Sequence, residues 1–341
     1  MSDHICTPGC THGITEENRK DVLDEFDTAR RSFLRNTLVG GGAVGLGALG
    51  LGMTPMAHAA SGVAGSDPDA PGPRHYYIPA TPDTVLWGYF SKVAKPVLEI
   101  ESGDYVTMET LTHHANDDAE RMVKGDPGAE AVFFWDANRK GVDRRGAGPM
   151  DAPIGAGGGA GVHICTGPVR IKGAQPGDIL EVRIADVVPR PSGNPSFKGK
   201  SFGSNAAANW GFQYGDLLSE PKKREVVTIY EVDATGERNW AQAVYNFRWT
   251  PQTDPFGVVH PTIDYPGIPV NHSTVTHNEN ILRDIRIPIR PHFGTIGVAP
   301  AEVDMVSSIP PNHTGGNIDN WRIGKGAKIY FPVAVEGANF S

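Results

Sequence analysis

Residues Gly155 to Val182 read GAGGGAGVHICTGPVRIKGAQPGDILEV, and the fold turns on how this stretch is read. It opens on a glycine run, Gly155, Gly157, Gly158, Gly159 and Gly161, with little side-chain bulk. His163, Cys165 and Thr166 follow, directly before Gly167-Pro168. An apolar strand from Val169, the corner Ala174-Gln175-Pro176-Gly177-Asp178 and an alternating strand from Ile179 to Val188 complete it. Period-two alternation around a Pro-Gly-Asp corner predicts an antiparallel hairpin. A titratable cluster between a bare loop and a sheet is where binding and catalytic residues are often held. The plainer alternative is that the glycines only permit a tight loop and that His163 is a hydrogen-bonded core residue.

The hairpin style recurs. Lys95 to Thr112 alternates around Ser102-Gly103-Asp104, and Gly324-Lys325-Gly326 precedes an alternating run from Lys328 to Val335. Glu225–Val232 and Trp240–Trp249 form a further expected hairpin across residues 233–239, and Asp284–Ile289 and Gly294–Val298 read as short strands. With 42 Gly, 28 Pro and 39% hydrophobic residues in 341, the chain is turn-rich yet apolar enough to fold. The expected class is mainly β, hairpins packed sheet on sheet with few helices. One short helix is expected from an Asn116 N-cap to Met122, with Asp117 and Asp118 suited to its first turn. Asp126 to Gly161 reads as a long loop over a site.

The N-terminus reads as an address. Arg30-Arg31-Ser32-Phe33-Leu34-Arg35 resembles a twin-arginine export signal, followed by a glycine-diluted apolar stretch, Leu38–Met53, and a small-residue cleavage site, Ala57-His58-Ala59. The expected organisation is a signal region 1–59, a Pro/Gly-rich linker 60–73 and one folded domain 74–341, exported to the periplasm or secreted. Sixteen apolar-plus-glycine residues fall short of the ~20 that span a bilayer, so no membrane partner is expected after cleavage. A net charge of −8 argues against nucleic acid. Cys6 and Cys10, beside His4 and His12, could bind a metal but leave with the signal. Cys165 then stands alone, without an intrachain disulfide.

Four polar stretches could carry chemistry. Thr112-His113-His114-Ala115-Asn116-Asp117-Asp118 offers imidazole and carboxylate, the ligand set of zinc and similar ions. In an extended strand, however, His113 and His114 would point to opposite faces. His163 with Cys165 is the second; a thiolate there needs a basic neighbour. Arg290-Pro291-His292-Phe293-Gly294-Thr295-Ile296-Gly297-Val298-Ala299-Pro300 is the third. The fourth is Asn312-His313-Thr314-Gly315-Gly316-Asn317-Ile318-Asp319, where paired glycines let backbone approach a ligand.

Together, Asn116-Asp117-Asp118, Gly161–Pro168 with Ala174–Asp178, Gly294–Pro300 and Gly315–Asp319 resemble the acetamidase/formamidase family, over a span from about His75 onward. The resemblance implies a jelly-roll-like β-sandwich, commonly oligomeric, that hydrolyses small linear amides, with a divalent metal such as zinc or calcium in some members. It implies His163 and Asp319 as site residues by position, and with them Asn317, Asp117 and Asp118 are expected as catalytic residues. Thr166, His292, Gly315 and Gly316 would contact substrate, and His163, Asp319 and His114 would be metal ligands. Position 165 is not one where the pattern demands Cys. After Val335 the family continues into a segment carrying further acidic residues and a histidine, so the chain reads as truncated at Ser341 with a sheet edge left open. The alternative function is an exported, catalytically inactive β-sandwich binding module.

Overall fold

A computed structural model describes residues 73–134, 162–207, 225–234, 239–254, 257–263 and 267–341. The signal region, nearly all of the linker and the glycine run 155–161 lie outside the described residues. So do Cys6 and Cys10. Among the described residues no helix is long and apolar enough to cross a membrane.

The class is mainly β. The largest sheet has five strands. Trp240–Arg248 pairs antiparallel with Val226–Asp233, and Val226–Asp233 with Ser201–Ala207; Asn278–Glu279 and Ile287–Pro288 add to the outer edge of Trp240–Arg248. The hairpin expected at 225–249 therefore forms, in the register Val226↔Arg248 to Asp233↔Trp240. Its alternation sends Val227, Ile229, Tyr245 and Phe247 to one buried face, where Ile263 closes the cluster. Burying side chains of this size contributes roughly 1.5–3 kcal/mol each.

Two other expected hairpins form their corners but not their ladders. Asp104 N donates to Glu101 O (3.2 Å) and Asp178 N to Gln175 O (3.0 Å), so both turns are made. The strands beyond them part company. Leu98–Ile100 runs parallel to Val169–Ile171, and Tyr105–Met108 runs parallel to His75–Ile78. Ile179–Arg183 pairs antiparallel with Lys328–Pro332. Alternation sets which side chains face inward; it does not say which strand lies alongside. The core shared by Ile171, Ile296, Val298, Phe331 and Val333 draws on several of these strand pairs and supplies the expected sheet-on-sheet packing.

The helices are few and short. Ala115–Asp118 is a 3₁₀ turn that leads directly into the α-helix Ala119–Met122. Asp118, rather than Asn116, is the N-cap, accepting from Arg121 N at 3.1 Å; the Asn116 side chain instead donates to Gly267 O. A second α-helix, Pro127–Val132, begins inside the stretch expected to be loop. Asp126 caps it by accepting from Gly128 N and Ala129 N, and Pro127 supplies a preset φ at its first turn. Its Ala129 and Val132 join Trp87, Leu111, Phe133 and Ile164 in a third core cluster.

The residues after Val335 do not leave the neighbouring edges bare. Val169 and Phe340 exchange both backbone bonds, as do Gly297 and Ser341, and Ala299 N donates to Ala338 O.

Candidate active site

His113 and His114 occupy a turn between Thr112 and the 3₁₀ segment, with Ala115 N bonded to Thr112 O and Asp117 N to His114 O. The turn overturns the expectation of opposite faces, which holds for an extended strand only. The two rings lie 4.5 Å apart between centroids. His163, immediately before the strand Ile164–Thr166, brings its ring within 5.1 Å of His113, edge to face. Three imidazoles from two distant stretches thus share one site.

Each outer imidazole has one nitrogen fixed. His114 Nδ1 lies 2.9 Å from Asp117 Oδ2, which also accepts from Ser204 Oγ at 2.6 Å. The carboxylate accepts only, so Nδ1 is the donor. His163 is set by Ser308, which is fully buried. Ser308 Oγ donates to Val162 O (2.7 Å) and accepts from His163 N (2.8 Å). Its single hydrogen is engaged, so toward His163 Nδ1, at 3.4 Å, it can only accept. That leaves Nε2 as the basic nitrogen of His163.

Burial pushes the His163 imidazole down to about 4; the charge of Asp319 opposes this and His114 adds to it. His113 is held well below the ordinary imidazole range by burial first, then by His114 and His163. Both rings are therefore neutral at neutral pH.

Beneath the imidazoles is a carboxylate layer. Asp117 and Asp118 are buried. Asp118 Oδ2 accepts from Tyr245 OH and Arg121 Nη1, each at 2.7 Å, and so ties the helix Ala119–Met122 to the five-stranded sheet. Asp117 orients His114. Asp118 acts on the scaffold, since its oxygens are engaged by Arg121 and Tyr245.

Asp319 arrives from the other side. Thr295–Gly297 pairs antiparallel with Gly315–Asn317, and Ile318 N and Asp319 N both donate to Gly294 O. Asp319 has φ +48 and is exposed, a conformation Asp tolerates better than most residues. Asn317 Oδ1 faces Thr295 Oγ1 at 3.5 Å, which leaves its amide N–H groups as donors.

Other expected contacts are placed differently. Thr166 is buried and its hydroxyl donates to Glu109 O at 2.5 Å, a bond within the scaffold. His292 is exposed, with Nδ1 turned to Arg290 O (2.8 Å). What approaches Gly315 and Gly316 is the chain itself: a Cβ on Gly315 would lie 2.3 Å from Ile296 O, and one on Gly316 2.7 Å from Pro310 O. Gly315 N already donates to Asn312 O. Cys165 is buried in its strand opposite Leu86, and burial pushes its thiol up to about 12. A thiolate nucleophile is excluded there at neutral pH.

Ser204 and Ser308 carried no local signal, because serine in a strand or after one is uninformative until its partner is known. His113 was visible as a neighbour of His114 and was set aside by the extended-strand argument. As metal ligands, neutral imidazoles with a carboxylate behind one of them are the right chemistry. Among the described residues no group of three or more His, Cys, Asp or Glu side chains is set to hold an ion.

Residues 160–308 match the Acetamidase/Formamidase family. The chain is 30% identical over 202 residues to an acetamidase of Mycolicibacterium smegmatis, covering 52% of this chain and 46% of the relative. It is 26% identical over 197 residues to a formamidase of Methylophilus methylotrophus, covering 53% and 44%. The chain thus spans about half the length of the curated relatives it matches. A crystal structure of a predicted acetamidase/formamidase from Thermoanaerobacter tengcongensis is similar at 22% identity and TM-score 0.43, over 78% of this chain and 60% of that one. The resemblance read from the sequence is borne out. Its second and third stretches fall inside the matched residues; Asn116–Asp118 and Gly315–Asp319 fall outside them.

Proposed function

We propose that the chain hydrolyses small linear amides to a carboxylate and ammonia. The observation that carries this reading is a neutral His163, its Nδ1 side fixed by Ser308, within reach of the charge of Asp319. An imidazole so weakly basic is a poor proton acceptor but a good hydrogen-bond partner, so the carboxylate takes the base role. Water held between His163 Nε2 and Asp319 attacks the amide carbon, and its proton passes to Asp319. The Asn317 amide N–H groups steady the oxyanion. Collapse breaks the carbon–nitrogen bond, and the proton returns to the departing nitrogen. His114, oriented by Asp117, completes the polar wall beside His113.

Ammonia release from formamide and acetamide tests the reading. The wild-type chain is expected to turn over at least one of them, and His163→Ala to lose most of that rate. A His163→Ala variant with the wild-type rate removes the role given to His163. A metal-assisted form would use His163, Asp319 and His114 as ligands. It requires stoichiometric zinc or calcium in the purified protein and loss of activity on chelation.

The alternative reading is an exported binding module without catalysis, which the same assay separates from the amidase. It requires no ammonia from any amide by a folded protein. For export we propose the twin-arginine route, with Arg30 and Arg31 as the recognised pair; replacing both with Lys is expected to retain the protein in the cytoplasm.

A further inference from the structure

Several surface cations of this acidic chain are held in ion pairs. Lys124 meets Glu120 at 3.0 Å, Lys172 meets Glu101 at 3.1 Å, Lys200 meets Glu231 at 2.6 Å, and Arg170 meets Glu336. Arg286, Arg290 and Arg322 differ. They are exposed, and among the described residues no carboxylate lies within ion-pair distance of them. They stack on indoles instead: Arg290 and Arg322 place their guanidinium carbons 4.4 and 4.5 Å from the Trp321 ring centre, and Arg286 lies 4.5 Å from that of Trp240. Trp321 is itself 45% exposed. A guanidinium stacked by its face keeps its N–H edge outward, in the fork that fits a carboxylate.

This group adjoins the candidate active site through the backbone. Gly294 O accepts from Ile318 N and Asp319 N, Phe293 N donates to Ile323 O, and His292 bridges Gly324. Residues 290–295 therefore run beside 317–324. One end carries Asn317 and Asp319, the latter with its charge felt by His163, and the other presents Arg290, Trp321 and Arg322. One residue, Asn320, separates Asp319 from Trp321, so their Cα atoms are no more than about 7.6 Å apart. Asp319 is the acid nearest in sequence, and the two guanidiniums outnumber it.

We propose that Arg290 and Arg322, held on Trp321, form a subsite for a carboxylate on the substrate, so that the preferred amides carry an anionic tail. The proposal rests on the amidase reading for its catalytic half only. Succinamic acid, its uncharged methyl ester and acetamide separate the possibilities. The expected result is a KM for succinamate below that for the ester by roughly three- to tenfold at low ionic strength, the range open to two exposed charge pairs. The difference should shrink in high salt. Arg290→Gln with Arg322→Gln should abolish it and leave acetamide turnover unchanged, while Arg290→Lys keeps the charge and retains part of it. Arg286→Gln, on the far indole, should change nothing; an equal loss there would mean that the whole strip binds a longer acidic segment, and would overturn a substrate subsite. Binding is read independently of turnover from the part of the tryptophan fluorescence change that Trp321→Phe removes. Salt-sensitive succinamate binding without ammonia release supports the subsite and sinks the amidase reading. Equal affinity for succinamate and its ester overturns the subsite whatever the activity.

Discussion

The two sides of the candidate site are built on opposite principles. On one side the outer imidazoles are held by side chains: Asp117, itself bonded by Ser204, fixes a ring nitrogen of His114, and Ser308 fixes one of His163, with the ring of His113 packed against both. On the other side Asp319 and Asn317 are held by backbone shape, with Gly315 and Gly316 pressed against Ile296 O and Pro310 O. The imidazole wall is specified by polar partners and tolerates little change in chemistry. The aspartate arm is specified by the absence of side chains and tolerates little change in volume.

The largest effect is expected where volume decides. In Gly315→Ala the new Cβ meets Ile296 O at 2.3 Å, at a φ of +115. Backbone on both sides has no rotamer with which to yield, so a loss of about 4 kcal/mol or failure to fold is expected. Gly103→Ala is the control. It has a φ of +99 and nothing within 4 Å, so only the conformational penalty remains, about 1–3 kcal/mol. Denaturant midpoints of the two variants give the comparison; equal losses would show that the close approach contributes nothing.

Next comes a change of chemistry on the same arm. Asn is isosteric with Asp and accepts a φ of +48, so Asp319→Asn keeps the backbone and, on the amidase reading, removes the proposed base. Stability should hold within about 0.5 kcal/mol, as for an exposed substitution, while kcat falls roughly 10²–10⁴-fold. A large loss of stability, or an unchanged kcat, would undo the division between shape and chemistry.

The same division explains how much was legible in the sequence. Glycine pairs, Pro-Gly-Asp corners and period-two alternation are local consequences of backbone sterics. The mainly-β class, the corners at Gly103 and Gly177 and the hairpin from Val226 to Arg248 could therefore be read directly. Strand partners could not, since Val169 alternates equally well for Ile179 or for Leu98. Within the site, His163 and Asp319 stood out by motif, whereas Ser308 and Ser204 acquire meaning only from partners 145 and 87 residues away. His113 was lost to a wrong local geometry, the assumption of a strand where the chain turns.

Ser308→Ala probes the imidazole wall with a smaller expected change. It strips the partner from buried Val162 O and His163 N, a cost of about 1–3 kcal/mol. A structural loss alone would leave the tautomer of His163 unchanged. With Ser308 as its acceptor, Nδ1 holds the proton in the wild type; ¹⁵N chemical shifts should show that form, and a mixture of tautomers in the variant. Acid titration gives the second readout. The folded pKa of His163, about 4, lies below its ordinary 6.5, so the unfolded chain binds more protons between these values. The stability from keeping the ring neutral is complete above about 6.5, is lost as pH falls toward 4, and changes no further below that. His113, depressed in the same direction, adds to this slope. His163→Asn should flatten stability against pH within that window, and an unchanged slope would place the acid sensitivity elsewhere.

His292→Ala is expected to do least, and it tests the boundary between the two sides. His292 sits two residues before the Gly294–Pro300 stretch that carried the family resemblance, and its ring is exposed and bonded to Arg290 O. It contributes neither a buried bond to the imidazole wall nor volume to the aspartate arm. Stability within about 0.5 kcal/mol of wild type follows, as for other surface positions. On the amidase reading, kcat/KM for acetamide should stay within about twofold, a change below 0.5 kcal/mol. A tenfold fall would bring His292 into the site and extend the chemical wall to the side built by glycine and backbone, because only a direct contact with substrate could give an exposed imidazole that much influence.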